Sequence, residues 1–259
     1  MTRARWLAVL ALLAVAPAAL WAQRGGSQGF SSGRGSNAPI KPNIPYDGKF
    51  VFVRIRYGPP IPYQNQRIPW SHDYPEGEQN MMKIMNELSL LAPHIEETNV
   101  MAFDDPDIFK YPVSYLCEPG PRFYWTDAEA ANFRAYLLKG GYVIVDDFRY
   151  QDWDFFESQI RKAIPDVRFF DLDGTHPIFH AFFEIPHPEL TPQNYDPGQP
   201  IFRGVYEDND PKKRLVMAIA YNTDISEFWE WSGTGFRPIE ESNEAFKLGV
   251  NFFMYGITH

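Results

Sequence analysis

The chain has 259 residues and a formal net charge of −9 at pH 7, with 33 acidic against 24 basic side chains. An acidic body of this kind excludes nucleic acid and anionic membrane as the main partner, because both carry phosphate charge of the same sign. A single cysteine, Cys117, excludes an internal disulfide, so the fold must rest on its core, and 16% aromatic residues provide the material for one.

Arg3 and Arg5 precede an uncharged run from Trp6 to Ala22 that ends in PAALWA. A basic start, a short apolar stretch and a small-residue end are the parts of a secretory signal, so residues 1–22 are expected to be removed and the chain exported to the periplasm or beyond. A membrane-spanning helix needs about 20 apolar residues. This stretch is shorter and is interrupted by Pro17, so stable membrane insertion is not expected. No cysteine at the cleavage point offers a lipid attachment. Residues 23–47 are rich in Gly, Ser, Asn and Pro and have no apolar period, which reads as a disordered linker spanning roughly 25–30 Å.

An α/β domain is expected over 48–259. KFVFVRIRY, 49–57, reads as a strand, and the proline-rich segment after it as irregular. A helix follows from about Glu78 to Ala92, with Met81, Met82, Met85, Leu88 and Leu91 or Ala92 as its buried stripe. NVMAF, 99–103, and VSYLC, 113–117, read as strands. Thr126 with Glu129 three residues on is a capping box, and Ala130, Phe133, Leu137 and Leu138 form the apolar face of the helix it starts, which Gly140-Gly141 stops. YVIVD, 142–146, is a short apolar strand of the kind buried on both faces. A helix from about Trp153 to Ile164 and a strand at 167–172 complete another unit. The stretch from Pro177 to Pro211 reads as loop. RLVMAIAYN is the last strand, and a helix from about Glu240 to Tyr255 closes the chain. Strands alternating with helices predict a mainly parallel sheet with helices on both faces.

In such a sheet, ligands bind beyond the carboxyl ends of the strands. The residues delivered there are Arg56 and Tyr57, Asp104 and Asp105, Cys117 and Glu118, Asp146 and Asp147 with Arg149, Asp171, Asp173 and His176, and Asn222 with Asp224. Asp146-Asp147 directly follows an apolar strand and is the leading catalytic candidate, against the alternative that one of the pair caps a loop or pairs with Arg149. Arg56, Tyr57, Trp70, Glu118, Arg149, Trp153, His176, Asn222 and Asp224 are the candidate ligand-binding set. A divalent cation, Zn²⁺, Mn²⁺ or Mg²⁺, would draw on His72, Asp73 and His176 with one of the paired aspartates, but no ligand spacing marks such a centre and no cofactor is predicted. Cys117 among apolar neighbours reads as an inert core residue, with no histidine close in sequence to activate it. The loop tryptophans, including the dense FWEW at 228–231, either roof the core or present a stacking surface.

The strings RIRYG, HDYP, DDPDIFKYPVSYLCEPG, FRAYLLKGGYVIVDDF, THPIF, NDPKKRL, NTDISEFWEW and EAFKLGVNFFMYGITH together resemble the DUF4159 domain family, bacterial exported or envelope proteins, over nearly all of 49–259. The resemblance implies a flavodoxin-like, class I glutamine-amidotransferase-like three-layer α/β fold. It implies no reaction. True amidotransferases place a cysteine on a sharp turn after the matching strand, and here that turn reads Asp146-Asp147-Phe148, so a glutaminase reaction is not expected. The leading expectation is therefore a ligand- or partner-binding domain of the cell envelope, its partner an envelope protein or a small-molecule or glycan ligand. The alternative is a hydrolase, metal-assisted or not, acting through Asp146 or Asp147 on an envelope carbohydrate or a related substrate. A purely structural subunit of an envelope complex is the third reading.

Overall fold

Short strands that are apolar on both faces need cover on both sides, and the chain provides it. The computed structural model describes residues 39–58, 69–192 and 198–259. These residues all fall within one compact unit, 33–259. The expected signal, 1–22, and the first part of the expected linker lie outside the described residues. Seven strands form one sheet: β1 (Phe52–Ile55), β2 (Thr98–Met101), β3 (Val113–Cys117), β4 (Tyr142–Asp146), β5 (Phe170–Asp171), β6 (Ile201–Tyr206) and β7 (Leu215–Tyr221), in the order β2-β1-β3-β4-β7-β6-β5. The first five in that order are parallel neighbours. β6 runs antiparallel to both β7 and β5, so β5 points the same way as the parallel strands.

The helices are α1 (Glu76–Leu88), α2 (Asp127–Leu138), α3 (Asp152–Ala163), α4 (Ser226–Glu230) and α5 (Ile239–Thr258). Alternation along the strands sorts the core into two halves. Phe52, Tyr115, Cys117, Ile144, Ala218 and Ala220 pack with Met81, Met82 and Met85 of α1, Phe228 and Trp229 of α4 and Phe252 of α5. Val53, Ile55, Val143, Val145, Met217 and Ile219 face the other way, onto Phe133 and Leu137 of α2 and Phe156 and Ile160 of α3. The result is three layers, helix–sheet–helix. Among the described residues, no helix is long and apolar enough to cross a membrane.

The capping box forms as the sequence implies, with Thr126 Oγ1 accepting from Glu129 N–H and the Glu129 carboxylate accepting from Thr126 N–H. Gly140, at φ +104°, then takes the left-handed position that ends α2. Tyr136, not Leu138, completes the buried face of α2, and Leu138 is exposed. α1 begins and ends earlier than its periodicity suggests. Ser89 Oγ donates to Met85 C=O and closes the helix there, leaving Leu88 exposed. Two elements escape the sequence reading. β6 lies in the stretch that reads as loop, because Gly204 and the surrounding prolines hide its alternation. α4 is too short to show a period. The strand expected at 167–172 shrinks to two residues.

Residues 39–47 carry no regular secondary structure, yet they are tied to the edge strand β2. Asn43 bonds both the N–H and the C=O of Val100, and Asn99 bonds both the N–H and the C=O of Ile44. This exchange satisfies polar backbone groups on an edge that would otherwise invite another chain.

Candidate functional site

Three neighbouring strands end in the same way. Glu118, Asp147 and Asn222 are the first residues after β3, β4 and β7, and each has a left-handed backbone, with φ of 50°, 60° and 56°. For a residue with a Cβ this conformation costs on the order of 1 kcal/mol or more, and it recurs where a chain must turn a side chain sharply off a strand. The turn after β4 separates the two aspartates that sequence places together.

Asp146, the last residue of β4, faces α1, α4 and α5 with its even-numbered neighbours. It is fully buried. Its carboxylate accepts from Tyr115 Oη at 2.7 Å and from the N–H groups of Ile225 and Ser226 at 3.1 Å, so it braces the start of α4. Burial lifts its pKa to about 7, against the pull of the Tyr115 hydrogen bond and with the charge of Asp147 adding to the rise. Asp147 turns instead toward His72, whose Nδ1 lies 2.5 Å from Asp147 Oδ2. On its other side, His72 Nε2 lies 3.5 Å from Asp73 Oδ1 and 4.0 Å from Glu227 Oε2. Burial opposes charge on this imidazole, but Asp73 and Asp147 outweigh it and hold the pKa well above the ordinary histidine value.

More carboxylates crowd the same place. Asp224 accepts from Glu227 N–H at 2.9 Å, and burial together with the charges of Asp147 and Asp73 holds its pKa well above the usual carboxylate range. Asp73 Oδ2 accepts from Ser226 Oγ at 2.5 Å. Glu227 Oε1 accepts from Arg237 at 2.6 Å. Donor atoms of His72, Asp73, Cys117 and Asp147 all lie within 4.8 Å of one another, as do those of His72, Asp224 and Glu227, and those of Asp73, Glu227 and Glu230. Among the described residues, these groups have the spacing to hold a cation. Behind them, Arg54 is wholly buried. Its Nε donates to Glu78 at 2.5 Å and Nη1 to Trp70 C=O at 3.0 Å, with the guanidinium carbon 5.3 Å from the centre of the Tyr115 ring.

The structure thus brings Asp147, Asp224, His72 and Asp73 into one cluster, with Asp146 at its back. The other sequence candidates lie elsewhere or serve the scaffold. Tyr57 donates to the carbonyls of Cys117 and Glu118. Asn222 Nδ2 donates to Gln199 C=O. Trp70 is buried and uses its carbonyl on Arg54. Arg56 and Arg149 are exposed. Trp153 joins an aromatic cluster on the opposite face of the sheet, with Arg203 lying 4.2 Å over its ring. His176 is a correction. The chain doubles back after β5, and His176 bonds Tyr206, which pairs with Leu215 at the amino end of β7. It is therefore at the end of the sheet remote from the aspartates and cannot share a metal with them.

Cys117 is buried, with its thiol 3.8 Å from Asp147 Oδ2. Burial and that carboxylate push its pKa well above the ordinary thiol value, as expected of an inert core residue. Most of the loop tryptophans and their aromatic neighbours do roof the core: Trp125, Trp229 and Tyr74 are fully buried. The sequence reading missed Glu227, Ser226 and Arg237. The signal available was the acidic residue inside FWEW's approach, ISEFWE, which lacks the carboxylate-bearing strand end used to find the others.

A family model described as "Domain of unknown function (DUF4159)" matches residues 51–257. No curated protein matches the chain.

Proposed function

This chain belongs to the DUF4159 family, and we propose that it is an exported ligand-binding domain whose site is the polar rim at the carboxyl ends of β3, β4 and β7. The observation that carries the reading is the Asp147–His72 pair. The two residues come from segments far apart in sequence, meet at 2.5 Å at the end of a central strand, and are surrounded by carboxylates. Open α/β sheets bind ligands at this edge, where the strand order reverses. In the order β2-β1-β3 the reversal falls beside β3.

Acceptors outnumber donors in the rim. A ligand recognised there would bring hydroxyl or amino donors, as an envelope glycan or amino sugar does. The turn after β4 carries Asp147 and no cysteine, and burial raises the pKa of the Cys117 thiol, so glutaminase chemistry forms no part of the proposal. Calorimetric titration of the chain with glycan fragments and amino sugars tests it. Binding that Asp147→Asn and Asp224→Asn weaken at least tenfold is expected; no binding by the folded chain, or binding indifferent to both changes, counts against it. Export is tested separately by fusing residues 1–22 to a reporter active only outside the cytoplasm.

A second reading, a hydrolase, draws on the same pair. A carboxylate on Nδ1 is the arrangement that orients a histidine for proton transfer at Nε2. Turnover of glycan or ester substrates, reduced at least a hundredfold by Asp147→Asn, would favour it over simple binding.

A further inference from the structure

His72 Nε2 is within reach of two carboxylates, and each of the three side chains is anchored by its other end. His72 Nε2 lies 3.5 Å from Asp73 Oδ1 and 4.0 Å from Glu227 Oε2. His72 is held through Nδ1 by Asp147, Asp73 through Oδ2 by Ser226, and Glu227 through Oε1 by Arg237. Asp73 is fully buried, and its Oδ1 accepts no hydrogen bond among the described residues. A buried carboxylate oxygen without a hydrogen bond needs a positive partner, either a protonated His72 or a bound cation.

The spacing suits a metal ion. Two atoms bound to one Zn²⁺ or Mn²⁺ at about 2.0–2.2 Å sit roughly 3–4 Å apart. We infer that His72, Asp224 and Glu227, whose donor atoms lie within 4.8 Å of one another, are the protein ligands of a first-row divalent cation, with Asp73 Oδ1 beside His72 Nε2. The inference rests on the rim being the binding site. An imidazole in the set favours Zn²⁺ or Mn²⁺ over Mg²⁺ and Ca²⁺, which prefer oxygen alone. Three protein ligands leave a position for water or for a ligand's hydroxyl. Asp147 is a positioning residue: its bond to Nδ1 fixes the ring so that Nε2 points at the ion, the usual company of a metal-bound histidine. His72 and Glu227 keep side-chain exposures of 9% and 11%, so neither side chain is wholly sealed from solvent.

The competing account is a protonated His72 that neutralises the carboxylates with no ion present. Calorimetry on the full chain, treated with EDTA and desalted, decides between them, using ZnCl₂ and MnCl₂ as probes and MgCl₂ as the comparison. One Zn²⁺ or Mn²⁺ per chain is expected, with uptake weakened at least tenfold by Asp224→Asn and ten- to a hundredfold by Asp147→Asn. Glu244→Gln, an exposed change elsewhere, should leave it unaltered. Co²⁺ loaded into the same site should give visible absorption that shifts in Asp147→Asn. Circular dichroism confirms the fold of each variant, and Glu227→Gln stands in for any that fails to fold. No saturable uptake by the folded chain, or uptake indifferent to these changes, overturns the inference. Cation uptake without any glycan bound removes the ligand reading and leaves the cation; a glycan held by the EDTA-treated chain with no cation uptake does the reverse.

Discussion

Asp147 and His72 are 75 residues apart in the chain and 2.5 Å apart in the fold, both buried at the carboxyl end of β4. Removing one partner of a buried charged pair leaves the other without compensation, which costs about 3–5 kcal/mol. Asp147→Ala should therefore lower stability in urea titration, by less than that full amount because Asp73 stays 3.5 Å from His72 Nε2. A loss below about 1 kcal/mol, the value of an exposed pair, would mean that the contact contributes little.

Arg54 and Glu78 make a second buried pair beneath the rim. Burial raises the Glu78 carboxyl even though Arg54 pulls it down, so the pair gains little over an apolar replacement. Glu78→Leu alone should be strongly destabilising. Arg54→Met with Glu78→Leu should recover most of the loss. Additive losses in a double-mutant cycle would contradict this.

His176 should impose a pH dependence far from the rim. It accepts a hydrogen bond from Ile178 N–H at Nδ1 and is bonded to Tyr206 Oη through Nε2, with the Tyr255 ring alongside. Burial lowers its pKa below 6.5, opposed by the charge of Asp173. The folded state then binds fewer protons than the unfolded state. Its contribution is full above about pH 6.5 and is lost as pH falls through the lower, folded value. Melting temperatures measured from pH 7.5 to 5 should fall less steeply in His176→Gln than in the parent chain.

Asn99 is buried and holds Ile44 and Tyr111 through three hydrogen bonds. Asn99→Ala should cost on the order of 1–3 kcal/mol. It should also release residues 39–47 from β2, and limited proteolysis should then cut that segment sooner. Unchanged cleavage would show that Asn43 and the Lys41 N–H bond to Tyr74 Oη hold it without Asn99.

Cys117 should resist thiol reagents at pH 8 in the native chain and react once the chain is unfolded in guanidinium. Stoichiometric labelling of the native protein would return it to consideration as a nucleophile.

The fold class was legible because periodicity and capping are local. Thr126, Glu129 and Gly140 bound α2 by rules that act within a few residues, and the apolar run 142–146 declares a strand covered on both faces. β6 was not legible, since Gly204 and nearby prolines argue against a strand that only pairing with β7 sustains. At the rim, sequence led to Asp146-Asp147 as a unit, and it also placed His176 beside them because six strands were taken to end at one edge. They do share a direction, but the turn after β5 carries His176 back to the opposite end.

What the sequence determined by itself is which residue types lie at strand ends, because strand, turn and helix follow from neighbours in the chain. Tertiary structure alone decided which of them meet. The left-handed turn at Asp147 sends one aspartate to brace α4 and the other to His72, and the packing of α4 on α1 brings Glu227 and Ser226 to the same place. Charges buried together change one another's protonation and make a site, and no local pattern records which distant segments the core presses together.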